Sequence, residues 1–208
     1  MSAAVPLPMF PLGTVLFPHA VLPLHVFEPR YRTLVDDCLR TGHEFGVVLI
    51  ERGTEVGGGD TRFSVGTVAY LREATPLPDG RWVLLTVGTR RVRVATWLPD
   101  DPYPLALVED VPEQRLPDMA LRAVEDATAA VRRALSLQAE LGEPGPSARF
   151  TLHDDVHVAA WQLVALAPLN PVDQQRLLET DDPEERLAAL TQFAVDAGDL
   201  LAYRLSAG

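Results

Sequence analysis

The segment with the clearest potential for chemistry is His153-Asp154-Asp155-Val156-His157. Histidines four apart on a helix share a face, the spacing with which HExxH helices hold zinc, so His153 and His157 are candidate ligands of a metal-dependent hydrolase. Two features weigh against that reading. Asp154 stands where the general-base glutamate would, one methylene short, and Asp155 suits a helix N-cap, which leaves His153 outside the helix. No bound metal is expected. All 18 basic residues are arginine, and the absence of lysine removes the GxxxxGK[ST] phosphate loop, Schiff-base chemistry and a Ser-Lys dyad. The chain also has no GxSxG elbow, CxxC pair or GxGxxG turn, so neither an enzyme nor a cofactor is expected.

A second constellation suits binding. Glu28, Arg30 and Tyr31 sit where a strand gives way to a helix, and Arg90 and Arg91 lie in a separate strand. Read functionally, they form the polar rim of a peptide groove. Read structurally, Glu28 caps the helix and pairs with an arginine to fix the junction. Phe10, Leu16, Phe17 and Phe27 are candidates for an apolar patch facing unfolded clients, although most such aromatics belong to cores.

The elements that must position these residues fall into a β-rich half and a helical half, an α+β organisation. Phe45 to Glu51, Ser64 to Arg72, and the adjoining pair Trp82 to Val87 and Val92 to Trp97 read as strands. Pro78-Asp79-Gly80 is the turn that launches the Trp82 strand. Alternation in Arg91-Val92-Arg93-Val94 places both arginines on one sheet face and both valines on the other. Leu7 to Leu12 and Val21 to Val26 carry prolines, which lack a ladder donor, and are expected at edges or bulges. An inserted helix starts at Glu28, and Pro29 suits its first helical position. It runs through Tyr31, Leu34, Val35, Cys38 and Leu39 and stops at Gly42. Cys38, the single cysteine, lies on that apolar stripe and is expected to be a core thiol.

The composition shifts near Pro112 to Pro117, giving expected domains of 1–112 and 117–208. Four helices follow. The first carries Leu121, Val124, Val131 and Leu135, and the second spans Val156 to Ala167. Two more are announced by Asn170-Pro171 and Asp182-Pro183, each an N-cap acceptor before a proline at the first helical position. In the last helix Leu187, Leu190, Ala194, Ala197 and Leu201 are expected to face inward.

The net charge of -11 weighs against a phosphate-tracking nucleic-acid binder. No apolar run reaches the roughly eighteen residues of a membrane span, and the proline-rich start lacks the basic residues of a signal peptide. A single cysteine fits a reducing cytoplasm.

Leu7-Pro8-Met9-Phe10-Pro11-Leu12-Gly13, Leu16-Phe17-Pro18 and the run Leu22-Pro23-Leu24-His25-Val26-Phe27-Glu28-Pro29-Arg30-Tyr31 together resemble the opening of the substrate-binding N-terminal domain of the Lon protease. The likeness continues through Phe45-Gly46-Val47-Val48, Gly66-Thr67-Val68-Ala69 and Gly88-Thr89-Arg90-Arg91-Val92. It reaches Ser147-Ala148-Arg149-Phe150 and Asp173-Gln174-Gln175 in the helical half. His19 stands where the pattern often has glycine, and Gly57-Gly58-Gly59 falls where members differ. The resemblance implies a PUA-like β pseudobarrel followed by a helical bundle subdomain. It also implies a non-catalytic module that binds unfolded or degron-bearing polypeptides, as an adaptor or regulator of a separate Lon protease. The ATPase part of a full Lon is not expected in this chain, which ends at Gly208. PUA-like folds also host RNA binders, a reading the acidic charge opposes.

Overall fold

Proline placement decides the topology at the start of the chain. In the computed structural model, which describes residues 4–53, 61–117 and 120–207, β1 (Val5–Leu12) contains three prolines and still lies inside the sheet. It does so by changing partner. Val5 to Pro8 pair antiparallel with β6 (Leu105–Asp110), and Met9 to Leu12 pair parallel with β3 (Glu44–Arg52). Each half uses one side of its backbone for these ladders, so a missing N–H can face away from the ladder. The expectation of an edge strand is thus corrected for β1 and holds for β2 (Val21–Val26), which ends the strand order β2-β5-β4-β3-β1-β6.

The remaining strands are longer than their apolar runs. β4 spans Thr61–Pro76 and β5 spans Trp82–Leu98, joined at Pro78-Asp79-Gly80, where Gly80 has φ 80° and its N–H donates to the Leu77 carbonyl at 2.9 Å. The two strands expected at Trp82 to Val87 and Val92 to Trp97 are therefore one. The intervening Thr89 is a bulge, since Val68 pairs with Arg90 and Ala69 with Gly88. β5 pairs β2 through its first half and β6 through its second, and this last pairing closes β5, β4, β3, β1 and β6 on themselves. Gly57-Gly58-Gly59 lies outside the described residues.

Period-2 alternation sorts the strand side chains into two cores. Leu7 and Met9 of β1 join Val48, Val68, Val92, Ala106 and Val108 in one. Phe10 and Leu12 point the other way and join Phe45, Val47, Leu71 and Leu84, packed with Tyr31, Leu34, Val35 and Cys38 of helix α1 (Pro29–Thr41). Gly42 ends α1 with φ 152°, and its N–H and that of His43 both donate to the Cys38 carbonyl. Gly88 has a different task. A Cβ there would stand 2.1 Å from the Phe17 carbonyl oxygen, so the segment after Leu16 can lie against β5 only because this position has no side chain.

The chain divides into two compact units, Met1–Glu113 and Gln114–Gly208. In the second, α2 (Leu121–Glu140) packs on α3 (Val156–Leu166) and α5 (Pro183–Ala207), and α4 (Pro171–Glu179) packs on α5. Asn170 caps α4 by accepting from Val172 and Asp173 N–H, each at 3.0 Å, and Asp182 accepts from Glu184 and Glu185 N–H at 2.8 and 3.1 Å. Leu187, Leu190, Ala194 and Leu201 are buried on α5, whereas Ala197 is half-buried and its neighbour Gly198 takes the inner place. Buried Arg186 is satisfied from two sides, by the Trp161 ring 3.8 Å away and by the Thr180 carbonyl at 2.9 Å.

Candidate functional site

Around the junction of β2 and α1, several of the residues singled out by type converge. Pro29 holds Glu28 in extended conformation (φ -69°, ψ 137°), and α1 begins there. The Glu28 side chain does not cap the helix. It accepts from Arg30 Nε at 3.1 Å instead. The Arg30 guanidinium lies 4.5 Å over the Tyr31 ring, while Phe10 stacks on the same ring at 4.0 Å and 9°. Two groups that close cannot share one face, so Tyr31 is held between a cation and a phenyl ring. Phe45 abuts Phe10 at 6.0 Å and completes the support.

This stack forms one wall of a cleft of about 190 Å³ bounded by Phe10, Leu12, Leu24, Val26, Phe27 and Tyr31. Phe10 and Tyr31 are 7% and 3% exposed and belong to the core. Phe27 is 55% exposed and stands at the lip. Pro23 and His25 alternate with buried Leu24 and Val26 along β2, whose far edge carries no strand among the described residues. The cleft is smaller than the roughly 300–1,000 Å³ of typical cofactor pockets and offers apolar walls with an ion pair at the rim. It suits a single apolar side chain.

The other candidates lie elsewhere. Phe17 is buried at 2% exposure beside Gly88, where it supports the barrel. Arg90 grips Glu44 through both oxygens, at 2.7 and 2.9 Å, and Asp110 at 3.0 Å, which holds its charge firmly on the guanidinium. Arg91 is fully buried with Nε donating to Glu113 at 3.2 Å, whereas Arg93 is exposed. The alternation does separate the arginines from the valines, but their face is covered at Arg91. Neither Arg90 nor Arg91 lines the cleft. Sequence reasoning overlooked Leu12, Pro23, Leu24, His25 and Val26 as lining residues, although the alternation along β2 was available to find them.

The histidine pair is occupied by structural roles. Asp155 caps α3, accepting from His157 N–H at 2.8 Å and Val158 N–H, and these amides hold its carboxyl below the usual range. His153 precedes the helix, and its Nδ1 accepts from Asp155 N–H at 2.9 Å; His157 Nδ1 accepts from Leu116 N–H at 3.2 Å. Among the described residues no three metal-capable side chains gather at one point. The Cys38 thiol is pushed up to about 12, mainly by burial and then by the Asp37 charge, and its Sγ contacts the Glu44 carbonyl at 3.3 Å. The Tyr103 hydroxyl donates to Asp37 at 2.8 Å; together with Arg40 it lowers the Asp37 carboxyl, while burial and then Asp37 raise Tyr103 to about 12.

Comparison with known proteins gives this geometry its context. Residues 6–196 match the family model of the ATP-dependent protease La (LON) substrate-binding domain. Lon protease 2 of Herpetosiphon aurantiacus is 28% identical over 96% of this chain, and the Lon protease of Escherichia coli is 26% identical over 96%. The chain spans about a quarter of the length of those relatives, 25% and 26%. Among solved structures, a Lon N-terminal domain protein from Xanthomonas campestris superposes with a TM-score of 0.66 at 31% identity, covering 91% of this chain and 98% of that one. The N-terminal domain of a Mycobacterium avium complex Lon protease shares the fold, with a TM-score of 0.65 at 18% identity over 92% and 99%.

Proposed function

The chain belongs to the Lon substrate-binding domain family, and from that premise we propose that it is a non-catalytic polypeptide-binding module whose site is the β2–α1 cleft. An extended client segment adds to the open edge of β2 through its backbone and places one apolar side chain in the cleft against Phe27. The observation that carries the reading is Phe27. A phenyl ring that is 55% exposed, beside a cleft walled by buried Phe10, Leu12, Leu24, Val26 and Tyr31, leaves apolar area for a partner to cover. Glu28 and Arg30 fix the rim and keep the cleft open. Phe10 and Tyr31 act from behind as its wall, while Phe17, Arg90 and Arg91 support the barrel.

The proposal extends to a biological setting, which family membership supports. A module of this kind delivers or withholds unfolded and degron-bearing polypeptides as an adaptor or regulator of a separate Lon protease in the cytoplasm. No helix among the described residues is long and apolar enough to cross a membrane. The test is binding of a permanently unfolded client, a reduced and alkylated disulfide protein, compared with its native form by fluorescence anisotropy. Preference for the unfolded form supports the proposal, and equal or absent binding of both removes it.

A further inference from the structure

The helical unit carries its own groove, of about 410 Å³, between α5, the end of α2 and the segment that leads into α4. Its apolar walls are Leu169, Phe193, Ala197, Leu200 and Leu201. Phe193, Ala197, Leu200 and Arg204 follow one another along α5 at steps of three and four, so they share a face of that helix. That face is not closed over. Leu200 is 61% exposed and Tyr203, one turn on, is 70% exposed. The apolar surface therefore continues beyond the groove, which favours an elongated ligand over a compact one.

Charge narrows the choice. Arg204 pairs with Glu143 at one end, and Asp173 is engaged by Asn170 and Arg176. Asp196 accepts from neutral Gln192 at 2.8 Å and, among the described residues, has no ion-pair partner. The unbalanced charge in the groove is thus negative, on a chain whose net charge is -11. An acidic segment is repelled, and so is a second copy of this chain.

We infer that this groove is a second polypeptide site, which seats a bulky apolar side chain against Leu200 and Phe193 and a neighbouring lysine or arginine against Asp196. The inference rests on the polypeptide-binding reading but uses a different surface. Two sites on one chain raise the effective concentration of a client at each, which suits capture of long unfolded segments better than one small cleft does.

The experiment uses the full chain and two short labelled helical peptides, one of leucine and lysine and one of leucine and glutamate in the same order. The wild-type protein should bind the lysine peptide at least about tenfold more tightly, a difference of about 1.4 kcal/mol. In a Phe27→Ser background, which removes the β2–α1 cleft as a competing site, Leu200→Ser should abolish the binding that remains and Asp196→Lys should reverse the preference towards the glutamate peptide. Both α5 substitutions fall on exposed positions, and circular dichroism verifies the fold. Equal binding of the two peptides overturns the inference. So does lysine-peptide binding lost with Phe27→Ser and kept with Leu200→Ser, an outcome that leaves the β2–α1 proposal standing. A dimer in sedimentation that dissociates with Leu200→Ser assigns the groove to a second copy and overturns it as well.

Discussion

Replacing Gly88 with alanine should destabilise the protein by about 3 kcal/mol, and the sign makes the test sharp. In most strands a glycine-to-alanine change is neutral or stabilising, by about 0.4–1 kcal/mol, because it restricts the unfolded chain. Here the new methyl would stand 2.1 Å from the Phe17 carbonyl oxygen, inside any van der Waals contact, and 3.1 Å from Thr67 Cγ2. Gly88 is also held on both sides by backbone, donating to Ala20 at 2.9 Å and accepting from His19 at 2.8 Å. The segment has to move away, and those two hydrogen bonds contribute roughly 0.5–1.5 kcal/mol each. The Thr67 hydroxyl, on a fully buried residue, loses its 2.6 Å bond to the Leu16 carbonyl and adds a desolvation cost of about 1–3 kcal/mol. Differential scanning calorimetry should show Tm falling by roughly 6–12 °C, at about 2–4 °C per kcal/mol for a chain of this size. A Gly88→Ala protein as stable as wild type would refute the close-approach argument and, with it, the structural role given to Phe17.

Other outcomes follow from the same geometry. Phe10→Ala should cost about 3–5 kcal/mol in urea melts, because it opens a cavity under the Tyr31 ring; a loss below about 1 kcal/mol would move Phe10 from wall to surface. The Cys38 thiol, raised to about 12, should stay unlabelled by a maleimide at pH 8 until the protein unfolds, and fast labelling would contradict its burial. The lowered Asp37 carboxyl contributes stability above its unfolded pKa of about 3.9, and that contribution is lost as pH falls through the lower folded value. Tyr103→Phe should bring the Asp37 titration back up towards the ordinary range, read by carboxyl carbon NMR, whereas an unchanged titration would deny the hydroxyl its role.

Local signals proved readable where one residue sets one dihedral or one cap. Pro29 and Gly42 bracket α1, Asp155, Asn170 and Asp182 start three helices, and Pro78-Asp79-Gly80 turns β4 into β5, all as their types require. Signals were misread where the answer lay across the sheet. Gly88 and Thr89 resemble a break between two strands, yet β4 and the loop at Phe17 hold that stretch in one bulged strand. The prolines of β1 suggest an edge, but a strand that changes partner midway satisfies the same missing donors. Aromatic type alone could not separate Phe10 and Tyr31 from Phe27. Burial depends on which face of the pleat meets α1, and only Phe27 falls outside that contact. Arg90 was drawn into the candidate groove by its charge, while its partners Glu44 and Asp110 lie 46 and 20 positions away in the chain.

The central claim is that an exposed ring at the β2–α1 cleft meets the client. The direct measurement is the affinity of Phe27→Ser for the reduced, alkylated client, with its melting curve recorded alongside. Phe27 is a surface residue, so the account predicts an unchanged Tm within a few degrees and a loss of binding of about tenfold or more. Unchanged affinity in a protein that melts like wild type would contradict it.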